Sequence, residues 1–170
     1  YFGDSLEDKQ IFNLEKGIKL LNHRGPDNQK KEILFDKKCF LAHTRLNIQD
    51  NDIKSNQPFF SRNGRYILLF NGEIYNHRKL RESHLSNFNF KTKSDTETLI
   101  ELWNIYGEES INLLEGMFSF IILDSISYDF FCVRDRFGIK PLYYMKRGGN
   151  IILSSEIKPI IVAADLKINI

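Results

Sequence analysis

Hydrophobic positions along this chain switch between a helical and a strand period, and the switches mark out its elements. Ile11, Leu14, Ile18 and Leu21 recur at helical spacing behind Ser5-Leu6-Glu7-Asp8, which has the form of a capping box. That helix is expected to end near Asn22, before the Gly25-Pro26 breaker. Two strands follow, around residues 32–35 and 39–43, joined by the polar turn Asp36-Lys37-Lys38, and residues 49–57 read as a polar loop. Asn63-Gly64 is a turn signal ahead of a buried strand at 66–70. Residues 95–106 form a strong helix pattern, with Leu99, Ile100, Leu102, Trp103 and Tyr106 on a wide apolar face and Gly107 as the stop. A short helix at 111–114 leads into the strand GMFSFIILD (116–124). That strand and the next, at 130–133, are apolar on both faces, so their sheet needs cover on each side. Strands at 142–145 and 151–154 and a helix near 156–163 complete the pattern. Many antiparallel-looking strands with few helices predict an α+β fold, with sheets held between helices rather than a parallel βαβ sheet.

Composition narrows the class. With 170 residues, 42% hydrophobic and 13% aromatic, the chain can fill one core and is expected to form one domain. The net charge of +2 is dispersed, which argues against a nucleic-acid surface. No apolar run approaches the roughly 20 residues of a membrane span, and no signal-peptide pattern is present. Cys39 and Cys132 both lie in apolar, strand-like runs, and two buried free thiols in a reducing cytoplasm are the expectation. The histidines do not cluster, and no metal site is expected.

Several polar segments interrupt the pattern, each with two readings. Asn71-Gly72 after the 66–70 strand is first a hairpin turn, because both residues accept positive φ cheaply. The following EIYNHRKLRE does not alternate, however, and looks like a turn running into a short helix. The chemical reading is that a side-chain amide and a neighbouring glycine N–H at the end of a rigid strand aim two donors at one oxygen. His23-Arg24-Gly25-Pro26-Asp27 is either a helix-ending turn or a charged loop with a role. Arg45 ends an apolar strand, as a surface charge or as a two-point clamp for a carboxylate. In Ser94-Asp95-Thr96-Glu97 either Ser94 or Asp95 caps a helix, and Asp95 could equally hold an ammonium group. Arg134-Asp135-Arg136-Phe137-Gly138 reads as a structural ion-pair turn, and Ser154-Ser155-Glu156 as a helix cap.

Taken in order, HRGPD (23–27), LAHTRLNIQD (41–50), QP (57–58), NGEIYNH (71–77), SDTE (94–97), GMFSF (116–120), RDRFGIKPLYY (134–144) and SSEIK (154–158) closely resemble the glutaminase domain of glutamine-hydrolysing asparagine synthetases. This is a class II glutamine amidotransferase of the N-terminal-nucleophile hydrolase type. The resemblance covers essentially the whole chain and implies a four-layer αββα fold, two mainly antiparallel sheets between helix layers. It implies that Arg45 grips the α-carboxylate of L-glutamine and that Leu46, Asn47, Ile48 and Gln49 line the site. Glu73 and Asp95 would receive the α-ammonium, and Asn71 and Gly72 would form the oxyanion hole.

The family's nucleophile is a cysteine at the mature N-terminus, and Tyr1-Phe2-Gly3 matches residues shortly after it. The expectation is therefore a sequence trimmed at its start and, as written, inactive. The resemblance further implies that ammonia passes to a C-terminal synthetase domain, where ATP and Mg²⁺ activate aspartate for amidation to asparagine. That domain is not contained in these residues, and no cofactor is expected within them. It also allows a homodimer. Two alternatives stay open: a relative amidating another carboxylate, such as a sugar acid, and a catalytically silent amino-acid-binding domain.

Overall fold

A computed structural model, which describes residues 1–46 and 53–167, divides the chain into two compact units, Tyr1–Leu46 with Pro141–Ile170, and Asn47–Lys140. In the first unit, α1 (Asp8–Lys19) and α4 (Ile157–Ala163) pack side by side against one sheet. The capping box of α1 is real but displaced: Glu7 is the cap, and its N–H donates to Gln10 Oε1 at 2.8 Å. Ser5 instead donates its hydroxyl to Asp36 O, tying the helix start to a hairpin turn. That hairpin joins β1 (Asn28–Leu34) to β2 (Cys39–Arg45), and Phe35, Asp36 and Lys37 all take positive φ in the turn. Both strands are longer than the pattern predicts, because β1 alternates half-buried with exposed positions and so carries little hydrophobic signal.

A second hairpin pairs β7 (Tyr143–Arg147) with β8 (Asn150–Ser154). Phe2 bridges the two hairpins, pairing with Cys39 of β2 and Ile151 of β8. Leu6, Leu14, Ile18 and Phe40 form the core of this unit, with Tyr1, Ile11, Ala42 and Ala163 packed around them.

The second unit is built on an antiparallel sheet in the order β3 (Phe59–Phe60), β4 (Tyr66–Ile74), β5 (Gly116–Asp124), β6 (Phe130–Arg134). Helices α2 (His77–His84) and α3 (Asp95–Tyr106) pack on one another, and α3 packs on β3 and β4. Helix α3 has the predicted bounds because both stop signals are local: Ser94 Oγ accepts from Glu97 N–H, and Gly107 ends the helix with a positive φ. Leu99, Ile100 and Leu102 are fully buried against Leu68, Phe70, Ile74, Phe118, Phe120 and Ile122 of the sheet. Trp103 meets Phe120 edge-on at 6.2 Å.

The central strand departs from expectation. β4 does not end at Phe70 but continues through Asn71, Gly72 and Glu73 to Ile74, in register with Ser119, Phe118, Met117 and Gly116 of β5. Asn71-Gly72 is thus strand and not turn; pairing with β5 overrides the local turn propensity. Cys39 is buried as expected, but Cys132 is exposed, since β6 is the last strand of its sheet and its positions alternate in burial. No helix among the described residues is long and apolar enough to cross a membrane.

Candidate functional site

The extension of β4 puts two hydrogen-bond donors side by side. Asn71 lies on the sheet face opposite to the Leu68, Phe70 and Ile74 core, and its Nδ2 is buried without a hydrogen-bond partner. A buried amide donor left unmade costs about 1–3 kcal/mol, so this donor gains from any acceptor that reaches it. Gly72 faces Phe118, whose N–H donates to Asp135 Oδ2 and whose C=O accepts from Asp135 N–H. Residues directly opposite in an antiparallel pair turn their polar groups toward one another or apart together. The Gly72 N–H therefore points away from β5. Its neighbours on that edge are occupied: Phe70 exchanges both backbone bonds with the Gln57 side-chain amide, and Ile74 N–H donates to Asp95 Oδ2.

Glycine is required at position 72 on two counts. Its φ is 156°, and a Cβ there would stand 2.3 Å from Met117 O and 2.6 Å from Phe118 Cα. Gly72→Ala is expected to push β4 off β5 and to cost about 1–3 kcal/mol. A thermal melt checks this, and an unchanged Tm would contradict the close approach.

Anionic groups lie beside these donors. Asp95 is buried at the first turn of α3 and accepts from Ile74 N–H at 3.0 Å, next to Glu73 in β4. Burial raises the Asp95 carboxyl above its usual range; the amides of Ile74, Thr96 and Asp95 oppose that, and the nearby Glu73 charge adds to it. A carboxylate held this way is poised to gain from a cation. His77, also buried, has a lowered pKa from burial and from Arg81 and Arg78, so it is neutral near pH 7.

The loop that delivers Asp95 is braced by residues to which the sequence assigned no role. The Arg81 guanidinium donates to Thr98 Oγ1 (2.7 Å), Thr92 O (2.9 Å) and Ser94 O (2.6 Å), and lies 3.8 Å from the Phe90 ring centroid. Glu97 accepts from the amides of Lys91 and Thr92 and from the Thr92 hydroxyl. Gln57 extends the edge of β4 beyond β3 with its side chain. The QP pair was the only sequence signal for it.

In the first unit, Arg45 is the last residue of β2, half-buried, opposite Asn28, and its C=O accepts from Asp27 N–H. The 23–27 loop packs against it: a Cβ on Gly25 would stand 2.4 Å from the Thr44 carbonyl and 2.5 Å from Arg45 N. His23 Nε2 lies 2.8 Å, and Arg24 Nη1 3.4 Å, from Glu156 Oε1. HRGPD is therefore more than a helix-ending turn, and SSE is not a side-chain cap: Glu156 sits at the N-cap of α4 without a capping bond from its side chain, which meets His23 and Arg24 instead, and its N–H donates to Ser154 Oγ. Leu46 is exposed. Asn47, Ile48 and Gln49 lie outside the described residues. Burial pushes the Cys39 thiol up to about 11, which leaves little thiolate at neutral pH.

Among the described residues the turn after β6 holds no ion pair and is built instead on backbone groups. Asp135 accepts from the backbone amides of Phe118, Phe137, Ile139 and Lys140. Burial alone would raise its pKa, but these amides hold it below the usual carboxylate range. Arg134 donates to the carbonyls of Gly138 and Lys140.

Comparison with known proteins gives concordant findings. Residues 2–170 match the profile of the glutamine amidotransferase domain. The chain is 41% identical over 156 residues to an asparagine synthetase [glutamine-hydrolyzing] of Triphysaria versicolor, covering 91% of this chain and 26% of that protein. It is 40% identical over 148 residues to asparagine synthetase [glutamine-hydrolyzing] 2 of Bacillus subtilis, covering 86% of this chain and 19% of that one. The chain thus spans about a quarter or less of the length of these relatives. Among solved structures, the glutamine phosphoribosylpyrophosphate amidotransferase of B. subtilis superposes with a TM-score of 0.75 at 22% identity, over 96% of this chain and 42% of that one. That likeness is one of fold, and it agrees with the mainly antiparallel amidotransferase architecture.

Proposed function

The chain belongs to the glutamine amidotransferase domain family, and from that premise we propose that it is the glutaminase half of an asparagine synthetase-like enzyme. The observation that carries the reading is the buried, unpartnered Nδ2 of Asn71 next to the outward N–H of Gly72. Two rigid donors at adjacent positions are what a tetrahedral oxyanion needs, and rigidity spares the cost of reorganising them during reaction.

The chemistry follows. A cysteine thiolate upstream of Tyr1, as the family resemblance implies, attacks the side-chain amide carbon of glutamine. The thiol has first given its proton to the cysteine's own α-amine, whose ordinary pKa near 8 suits that task. The carbonyl oxygen becomes an oxyanion bonded to Asn71 Nδ2 and Gly72 N–H. Collapse transfers the proton to the leaving nitrogen and releases ammonia, and water hydrolyses the thioester to glutamate. The substrate is a zwitterion, and the proposed contacts have the matching signs. On the family resemblance, Arg45 is assigned to its α-carboxylate, Glu73 and Asp95 to its α-ammonium, and Leu46, Asn47, Ile48 and Gln49 to the remainder of the substrate.

In this reading ammonia is used by the synthetase region of the parent protein to amidate aspartate. ATP and Mg²⁺ are proposed to belong to that region. The enzyme is proposed to act in the cytoplasm.

The arginine tests the substrate assignment. In the complete parent protein, Arg45→Lys is expected to raise KM for glutamine with little change in kcat, because an ammonium cannot reproduce a planar two-point grip on a carboxylate. Steady-state ammonia release checks it, and an unchanged KM would return Arg45 to a strand-end surface charge.

A further inference from the structure

We propose that the loop after β6, residues 136–139, is the surface on which the remainder of the parent polypeptide docks, through an apolar hollow rimmed by carboxylates. Phe137 is 89% exposed and Ile139 56% exposed, both on this one short loop. An exposed phenylalanine on a loose loop would fold back onto apolar surface. This loop is held open. Asp135 Oδ1 accepts from Phe137 N–H at 3.1 Å and Ile139 N–H at 3.0 Å, and its Oδ2 accepts from Lys140 N–H at 3.1 Å. Gly138 N–H donates to Asp135 O at 2.9 Å, while Arg134 takes the Gly138 and Lys140 carbonyls. Every amide from Phe137 to Lys140 is thus satisfied within the turn, and Asp135 is tied in turn to Phe118 of β5.

An aromatic fixed in its exposed position loses little freedom when it is buried by a partner, and that is the property of an anchor residue. The charges say what surrounds the hollow. Arg136 and Lys140 flank the apolar pair, and among the described residues neither side chain is in an ion pair. Carboxylates on the opposing rim complement them. The occupant follows from length: the chain spans 26% and 19% of two relatives, so most of such a parent lies outside it and is tethered to it at high effective concentration. A second copy docked loop to loop would instead set cation against cation.

The proposal rests on the reading of this chain as one region of a synthetase-like parent, and it is independent of turnover. Its test is photo-crosslinking in the full-length protein, with p-benzoylphenylalanine in place of Phe137. The same probe in place of Ile126, 70% exposed at the turn before β6, serves as the reference. Peptide mapping is expected to place crosslinks from position 137 on residues beyond Ile170 of the same polypeptide, beside Asp or Glu. Arg136→Glu is expected to lower that yield several-fold, with position 126 giving none. Crosslinked dimers from position 137, or a yield no higher than at position 126, would overturn the proposal. Glutamine hydrolysis measured on the same preparation keeps the two readings apart: crosslinking without hydrolysis supports docking while removing the glutaminase reading, and hydrolysis without crosslinking does the reverse.

Discussion

Asn71→Ala in the complete parent enzyme is expected to lower kcat for glutamine hydrolysis by roughly a hundred- to a thousand-fold while leaving KM within a few-fold. Loss of one oxyanion donor typically costs about 2.7–4 kcal/mol of transition-state stabilisation. The effect falls on kcat because the amide bond strengthens only as the carbonyl oxygen acquires charge. Stability should change far less than in an ordinary core deletion. The wild-type Nδ2 is buried with no partner, so removing it relieves an unmade hydrogen bond even as it leaves a small void. The expected Tm change is therefore small. A variant that melts early but turns over normally per folded molecule would show that the amide has only a structural role.

Asp95→Asn separates binding from folding even more sharply. Asparagine Oδ1 can still accept the Ile74 N–H bond, so the start of α3 stays attached to β4. The charge that would meet the α-ammonium is gone. Truncating one partner of a buried, hydrogen-bonded charge pair costs about 2–5 kcal/mol, which predicts a rise in KM for glutamine of at least roughly thirty-fold. Stability follows from the raised carboxyl pKa. A raised folded-state pKa means that the native state holds the proton more tightly than the unfolded chain. Stability from this group is therefore complete below the unfolded carboxylate range, about pH 4. It is lost as pH rises through the folded pKa and stays lost above it. The substitution should thus make the protein as stable as wild type or more so at pH 7, with the difference closing as pH falls toward 4. Denaturant melts of both proteins across that range check the sign, and a variant less stable at pH 7 than at pH 4 relative to wild type would contradict it.

The parts of this fold legible from sequence are those whose signals are local. Helix α3 was readable end to end because Ser94 and Gly107 carry their cap chemistry with them. The strand GMFSFIILD was readable because its burial leaves a continuous apolar run. The end of β4 is not legible for the converse reason. Asn-Gly is a turn by local propensity, and only its distant partners Met117 to Ser119 make it strand.

The candidate site divides the same way. Asn71, Gly72, Glu73 and Asp95 could be named from their motifs, and the structure brings Asp95 onto the β4 backbone next to Glu73. No role for Arg81 or Glu97 is legible in the sequence. Their partners, Thr92, Ser94 and Thr98 for one and Lys91 and Thr92 for the other, become neighbours only once α2, α3 and the loop between them have folded. Asp135 was visible as a charge, but its work as an acceptor for backbone amides depends on where the chain turns after β6.

Incubating the complete parent protein with glutamine labelled with ¹⁵N at the side-chain amide, and following ¹⁵N-ammonia and glutamate together, measures the proposed hydrolysis itself. One ammonia per glutamate is expected from the wild type, reduced at least a hundredfold in Asn71→Ala. Saturable glutamine binding with no ammonia above background would contradict it and leave a catalytically silent amino-acid-binding domain.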